Sequence, residues 1–238
     1  MKFRDIRLFE IKPKDYIGEF DGIFGNIYSN SFDSKNIGYR IAKKLDENNF
    51  NFENFDHLYI YLNSELNKDQ IIETEIYKLG WNKDVYFGLD YLEFNNLSEE
   101  NQNIKIEEII FKILKFLCKN EYQKIEIIEK VEKIIKSQKT ETELLIKERS
   151  FKDFLIQITF KINPKGKSSQ LIIRGIQNQE NICEKSLNLF HHEDAFYIVD
   201  KIKYVNNKII IEPKTNLKSL IVTEKYDKTI IVENCDCR

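Results

Sequence analysis

Glycine and proline are scarce in this chain, with 8 and 3 among 238 residues, and the shortage narrows the range of functions. There is no Gly-rich phosphate loop, no nucleophile elbow and no His-Glu-x-x-His helix, so general dinucleotide chemistry is not expected. No linker-like or low-complexity tract interrupts the chain, and extensive disorder is not expected either. Long apolar runs are missing too. None approaches the roughly 18 residues that span a bilayer, and Met1 to Glu10 alternates charged with apolar groups in place of a leader core. The expected location is the cytoplasm, with no membrane partner. Only four cysteines are present: Cys118 in an apolar helical pattern, Cys183 in a polar connection, and Cys235 and Cys237 at the C-terminus. They do not form the framework of a small secreted domain and read as buried or idle thiols. The Cys235-Asp-Cys237 tail supplies half of a tetrahedral metal site, so neither a metal nor a cofactor is expected.

Strong net charge is absent as well, since 37 Lys and Arg face 39 Asp and Glu for a total of −2. The charge is nevertheless unevenly placed. Residues 46 to 100 hold thirteen Asp and Glu against Lys68, Lys78 and Lys83, a local −10, and eleven aromatic residues lie between Phe50 and Phe94. Residues 1–45 carry +3 and residues 101–238 carry +5. Acid mixed with Tyr and Trp suits a surface that captures a basic partner, because charge steers the encounter and amphipathic rings supply contact area. The same residues would serve equally as solvated faces of ordinary elements.

With 42% hydrophobic residues the chain can bury a sizeable core. Phe3 to Ile11 alternates as an opening strand, residues 12 to 33 read as loop, and Ser34 is a candidate N-cap for a helix carrying Ile37, Ile41, Ala42 and Leu45 to about Asn48. Leu58, Ile60 and Leu62 alternate with His57, Tyr59, Tyr61 and Asn63 as a strand. A second strand is expected from Asp84 to Phe94, with Val85, Phe87, Leu89 and Tyr91 on one face and Asp84, Tyr86, Gly88 and Asp90 on the other. If the two strands are neighbours, His57, Tyr59, Tyr61, Asp84, Tyr86 and Asp90 share one aromatic, negative face. Trp81 stands beside it in the preceding connection. A covering helix would make the same tyrosines packing groups.

Ser98 caps an amphipathic helix through Ile106, Ile109, Ile110, Ile113, Leu114 and Leu117, and a second with Ile125, Ile128, Val131, Ile134 and Ile135 follows at once, as in a helical hairpin. From about Thr140 the pattern is strands. Hairpins are expected around Asn163-Pro-Lys-Gly-Lys and Asn206-Asn207, with a last strand pair at Leu220 to Thr223 and Thr229 to Val232. The fold class is α+β: an N-terminal mixed sheet with helices, a central helical hairpin, and a C-terminal, mainly antiparallel β lobe, divided near 139/140 or continuous.

Catalytic constellations are thin. His191, His192, Glu193 and Asp194 are adjacent and point in opposite directions if extended, so they read as a polar turn. Lone His57 reads as structural. Asp200 with Glu212-x-Lys214 resembles the carboxylate and Glu-x-Lys arrangement of restriction-endonuclease-like enzymes. A two-residue Asn206-Asn207 turn pairs Lys201 with Glu212, however, and sets Asp200 on the other face, so a Lys201 to Glu212 ion pair is expected. Lys165, Lys167 and Arg174 are too few for a nucleic-acid surface.

The segment Phe55-Asp-His-Leu-Tyr-Ile-Tyr-Leu-Asn, then Gly80-Trp81 leading into Asp84-Val-Tyr-Phe-Gly-Leu-Asp-Tyr, then Phe94-Asn-Asn-Leu-Ser-Glu-Glu opening a helix, resembles bacterial immunity proteins of polymorphic toxin systems. The resemblance covers about a third of the chain and implies a cytoplasmic, non-enzymatic inhibitor that neutralises a cognate toxin by binding it, and a basic toxin domain is the protein partner that the acidic stretch suits. The expected contact residues are Tyr59, Tyr61, Trp81 and Tyr86, with Asp84 and Asp90 as steering charges. The alternatives are a metal-dependent hydrolase around His191, His192 and Asp194, and an assembly subunit using the edge of the C-terminal sheet.

Overall fold

The computed structural model describes residues 2–18, 21–29, 31–74, 81–152, 154–164 and 166–233. It divides into two compact units, Met1–Lys139 and Thr140–Arg238, and the fold is α+β.

The first unit runs β1 (Asp5–Glu10), α1 (Ser31–Glu47), β2 (His57–Asn63), β3 (Ile71–Glu73), β4 (Asn82–Gly88), α2 (Tyr91–Asn95), α3 (Glu99–Leu117) and α4 (Tyr122–Gln138). Its sheet is mixed, in the order β1-β2-β4-β3, with β1, β2 and β4 parallel and β3 antiparallel. Period-two alternation sends Ile6, Leu8, Leu58, Ile60, Leu62, Val85 and Phe87 to one face. There they are buried in a single core with Ile37, Ile41 and Leu45 of α1, Ile106, Ile110 and Leu114 of α3, and Ile128, Val131 and Ile135 of α4. Each such side chain contributes about 1.5–3 kcal/mol by leaving water. Close packing of α1 on β1 depends on Gly38, since a Cβ there would stand 2.3 Å from the Ile6 carbonyl oxygen.

Two boundaries differ from the sequence expectation. Helix α1 begins at Ser31, so Ser34 is buried inside it and is not its cap. Strand β4 stops at Gly88 and does not reach Phe94, because Asp90 accepts a hydrogen bond from the Glu93 N–H at 2.7 Å and starts α2; a short carboxylate that bonds the backbone three residues on competes with strand extension. Ser98 does cap α3, accepting from the Asn101 N–H. Helices α3 and α4 form an antiparallel hairpin, with Lys115 in the last turn of α3 paired to Glu132 of α4 at 2.6 Å and Glu100 to Lys139 at the far end at 3.1 Å.

Glu10, at the end of β1, organises the loop before α1. Its buried carboxylate accepts four backbone N–H groups: Asn26 (2.9 Å) and Ile27 (3.0 Å) on Oε1, Gly25 (3.2 Å) and Tyr28 (3.1 Å) on Oε2. Gly25 has φ 128°, open to glycine and strained for other residues.

The second unit holds an antiparallel sheet in the order β5-β6-β7-β8, from β5 (Leu144–Ser150), β6 (Leu155–Lys161), β7 (Ser169–Gln177) and β8 (Glu180–Leu189). After a single 3-10 turn at His192–Asp194 come α5 (Ala195–Ile198), β9 (Lys201–Val205), β10 (Lys208–Glu212), α6 (Leu217–Thr223) and β11 (Ile230–Val232), with a second sheet in the order β11-β10-β9. The β9–β10 hairpin has the register that a two-residue turn requires, Val205 opposite Lys208 and Lys201 opposite Glu212. Asn206 and Asn207 both have positive φ, 50° and 61°, as a type I′ turn demands. Glu212 nevertheless bonds Lys203, its diagonal neighbour on the same face, in place of Lys201. Leu217–Thr223 is a helix where a strand was expected, because Asn216 accepts from the Ser219 N–H at 2.8 Å and caps it.

Candidate functional site

Parallel register builds an aromatic surface on the sheet face opposite the aliphatic core. Tyr61 lies opposite Tyr86 and Tyr59 opposite Asp84 across β2–β4, while Phe9 lies opposite Tyr61 across β1–β2. The rings form one continuous belt. Tyr86 stacks on Tyr61 at 5.2 Å, Tyr61 on Phe9 at 5.1 Å, and Phe9 meets Tyr59 edge-on at 5.2 Å. Trp81 closes the belt, 5.9 Å from Tyr59 and 4.4 Å from His57. Such pairs are worth about 0.5–1.5 kcal/mol each beyond their buried area, so the belt is a stiff surface. All six side chains are half-buried, whereas the aliphatic residues between them are fully buried. Trp81 is also fixed through its backbone, its carbonyl accepting from the N–H groups of Asp56 and His57.

The expected contact residues Tyr59, Tyr61, Trp81 and Tyr86 are thus brought together, while of the two expected steering charges one is buried and the other stands off the belt. Asp84 is only 2% exposed and accepts from the Asn82 amide at 2.7 Å. Asp90 is exposed, yet it lies beyond the end of β4 as the α2 cap. The wider acidic stretch is also compensated. Lys2 and Lys43 pair with Asp46, Lys44 with Glu47, Arg4 with Asp56, Lys14 with Glu65, Lys112 with Asp69 and Lys139 with Glu100. All seven of these cations lie outside residues 46–100, so the −10 visible along the chain is offset in large part from both flanks.

Beneath the rings the environment remains negative. Burial pushes the Tyr61 phenol up to about 12, with Asp84 adding to the effect. Burial also raises Tyr59, against the pull of Arg7, with Asp5, Asp84 and Asp56 adding to the rise. Arg7 lies 5.8 Å from the Tyr59 ring centre and pairs with Asp5 at 2.5 Å. Three contributors were not read from the sequence. Phe9 and Arg7 could have been found from their alternation once β1 was placed beside β2. Asn82, 1% exposed, gave no signal, since its side chain matters only through the bond to Asp84. Its Oδ1 atom is buried and accepts no hydrogen bond from another group of the chain. His57 does have a partner, its Nδ1 standing 2.6 Å from buried Asp56.

The constellations of the second unit serve the fold. The His191 side chain accepts from the Asp194 N–H, and the Asp194 carboxylate accepts from the His191 N–H at 3.2 Å and the Tyr226 hydroxyl at 2.7 Å. Among the described residues no group of three or more His, Cys, Asp or Glu is placed to hold a metal ion. Arg174 bonds Glu143 through both Nη atoms and Glu184 through Nε, and Lys165 lies outside the described residues. Cys118 is a buried free thiol, and Cys183 is disulfide-bonded and not idle. Cys235 and Cys237 fall outside the described residues. Among those described, no helix is long and apolar enough to cross a membrane.

A scan of protein-family models, a search of curated proteins and a search of solved structures each return no match.

Proposed function

We propose that this is a non-enzymatic binding protein of the immunity or inhibitor type, which neutralises a cognate bacterial toxin by covering its active surface with the aromatic face of the first unit. The observation that carries the reading is the belt Tyr86–Tyr61–Phe9–Tyr59–Trp81. Half-buried aromatic rings held rigid by their neighbours offer contact area at little entropic cost and are the side chains that dominate binding hot spots. Affinity therefore rests on the rings, with charge in a supporting role.

A cytoplasmic site of action belongs to the same proposal. Disulfides persist mainly in oxidising compartments, and Cys183 is disulfide-bonded, so thiol trapping in fresh extracts of the producing cells tests the compartment: an oxidised Cys183 there overturns the cytoplasmic site and leaves the binding face standing. The main test is capture and inhibition. Wild-type protein is expected to retain a protein from an extract of its own organism and to abolish that protein's activity at equimolar ratio. A Tyr59→Ala, Tyr86→Ala variant is expected to bind at least tenfold more weakly. Retention of full inhibition by that variant would remove the aromatic face from the mechanism.

A further inference from the structure

We infer that Cys183 is bonded within its own chain to the C-terminal pair Cys235-Asp-Cys237, and that the cysteine of the pair left over lets this bond exchange, so that strand β8 carries a thiol–disulfide switch holding the end of the chain; this is independent of the binding role proposed above. The sequence holds four cysteines, Cys118 is a buried free thiol, and Cys183 is disulfide-bonded, which leaves Cys235 and Cys237 as the available partners. Three cysteines then share one bond. A spare thiol stands two residues from a bonded sulfur.

The described part of the chain brings its end to the right strand. Lys185 of β8 donates to the Ile231 carbonyl of β11 at 2.9 Å, and it also acts on the carboxylate of Glu233, whose main partner is Lys208 at 2.8 Å. Glu233 stands two residues before Cys235 and four before Cys237, a span of about 7 or about 14 Å of extended backbone. Cys183 lies about 7 Å along β8 from Lys185 and on the same face, being two residues away. Gly175, its register partner on β7, leaves room for the sulfur: a Cβ there would stand 2.8 Å from Cys183 Sγ and 3.5 Å from Ile209 Cδ1 of β10. The sulfur is therefore turned toward the second sheet, of which β11 is part, and Cys183 is half-buried, within reach of small thiols.

Closure from the reduced chain takes a small disulfide such as oxidised glutathione, which leaves as two thiols. Exchange needs no further oxidant: the spare thiolate attacks the Cys183 sulfur, a new sulfur–sulfur bond forms, the old one breaks, and the displaced cysteine of the pair leaves with the electron pair and takes up a proton. Full-length protein is equilibrated at pH 8 with a glutathione redox buffer and then blocked with N-ethylmaleimide. Tryptic digestion without reduction is expected to yield residues 175–185 joined to residues 229–238, and fragmentation of that product to show Cys183 bonded to Cys235 in some molecules and to Cys237 in others. Cys235→Ser and Cys237→Ser are each expected to keep a bond to Cys183. A Cys183 that is free, capped by glutathione or bonded between two chains overturns the pairing. Bonding to a single cysteine of the pair in wild type, with no bond in the variant that lacks it, overturns the exchange. The amides of Ile230 to Val232 report the hold on the chain end, with deuterium exchange expected at least tenfold faster in reduced wild type and in Cys183→Ser; equal rates in oxidised and reduced wild type overturn the switch.

Discussion

Replacing Glu10 by glutamine is expected to destabilise the first unit by about 2–4 kcal/mol, although the substitution is nearly isosteric. The carboxylate accepts two N–H groups on each oxygen, and each pair joins one donor from an exposed residue to one from a buried residue: Asn26 with Ile27, and Gly25 with Tyr28. An amide has a single oxygen. Whichever way it is turned, its NH2 group faces two N–H donors, one of them buried. The buried donor left unmade costs about 1–3 kcal/mol, and the loss of a charge-assisted bond to the other adds about 1 kcal/mol. Glu10→Ala abandons both buried donors and is expected to cost more, about 4–6 kcal/mol. Urea unfolding followed through Trp81 measures both, with a lowered midpoint and an unchanged slope as the mark of a loss in native stability. A Glu10→Gln loss below about 1 kcal/mol, or an equal loss in the two variants, would refute the idea that the loop before α1 is assembled around this carboxylate.

Three further outcomes are expected. Arg174 holds the Glu143 carboxyl below its ordinary value through their hydrogen bonds; because the folded-state value is the depressed one, this stabilisation is complete above the ordinary carboxylate range and is lost as pH falls through the folded value. A Glu143→Gln variant should therefore be less stable than wild type near neutrality, with the gap closing in acid unfolding titrations. Burial pushes the Cys118 thiol up to about 12, with Glu121 adding to the shift, so Ellman's reagent at pH 8 should leave Cys118 unmodified in native protein and label it on unfolding; prompt labelling of native protein would contradict its burial. Gly88→Ala should lower the thermal midpoint by several degrees, because the new Cβ would lie 1.9 Å from the Asn67 carbonyl oxygen, a backbone atom that cannot swing aside.

Elements whose burial follows a strict period were legible in the sequence. The 3.6-residue stripes of α3 and α4 and the alternation of Leu58, Ile60 and Leu62 fixed both type and facing, and Asn206-Asn207 fixed a register. The elements that were missed are decided by a single polar side chain against local propensity. Asn216 turns the segment that holds Leu220, Ile221 and Val222 into α6, and Asp90 ends β4 early to start α2. Strand β8 escaped because its side chains, from Glu180 to Asn188, are exposed or half-buried and show no apolar alternation. At the candidate site the aromatic residues could be grouped from period two alone. Burial of Asp84 could not, since it depends on which side chains of neighbouring strands close around it. The acidic stretch misled in a related way: linear charge counts ignore partners brought in from the flanks.

That charge pairing bears on how the first unit is made. A ribosome emits a basic segment, then a strongly acidic one, and only afterwards the helices that carry Lys112 and Lys139, the partners of Asp69 and Glu100. Five of the seven pairing cations, Lys2, Arg4, Lys14, Lys43 and Lys44, precede the acidic segment, whereas α3 and α4, whose apolar residues complete the core with β2 and β4, follow it. Compensation of charge can therefore begin before the core closes, and it is the apolar cover of α3 and α4 that arrives late in the synthesis of the unit.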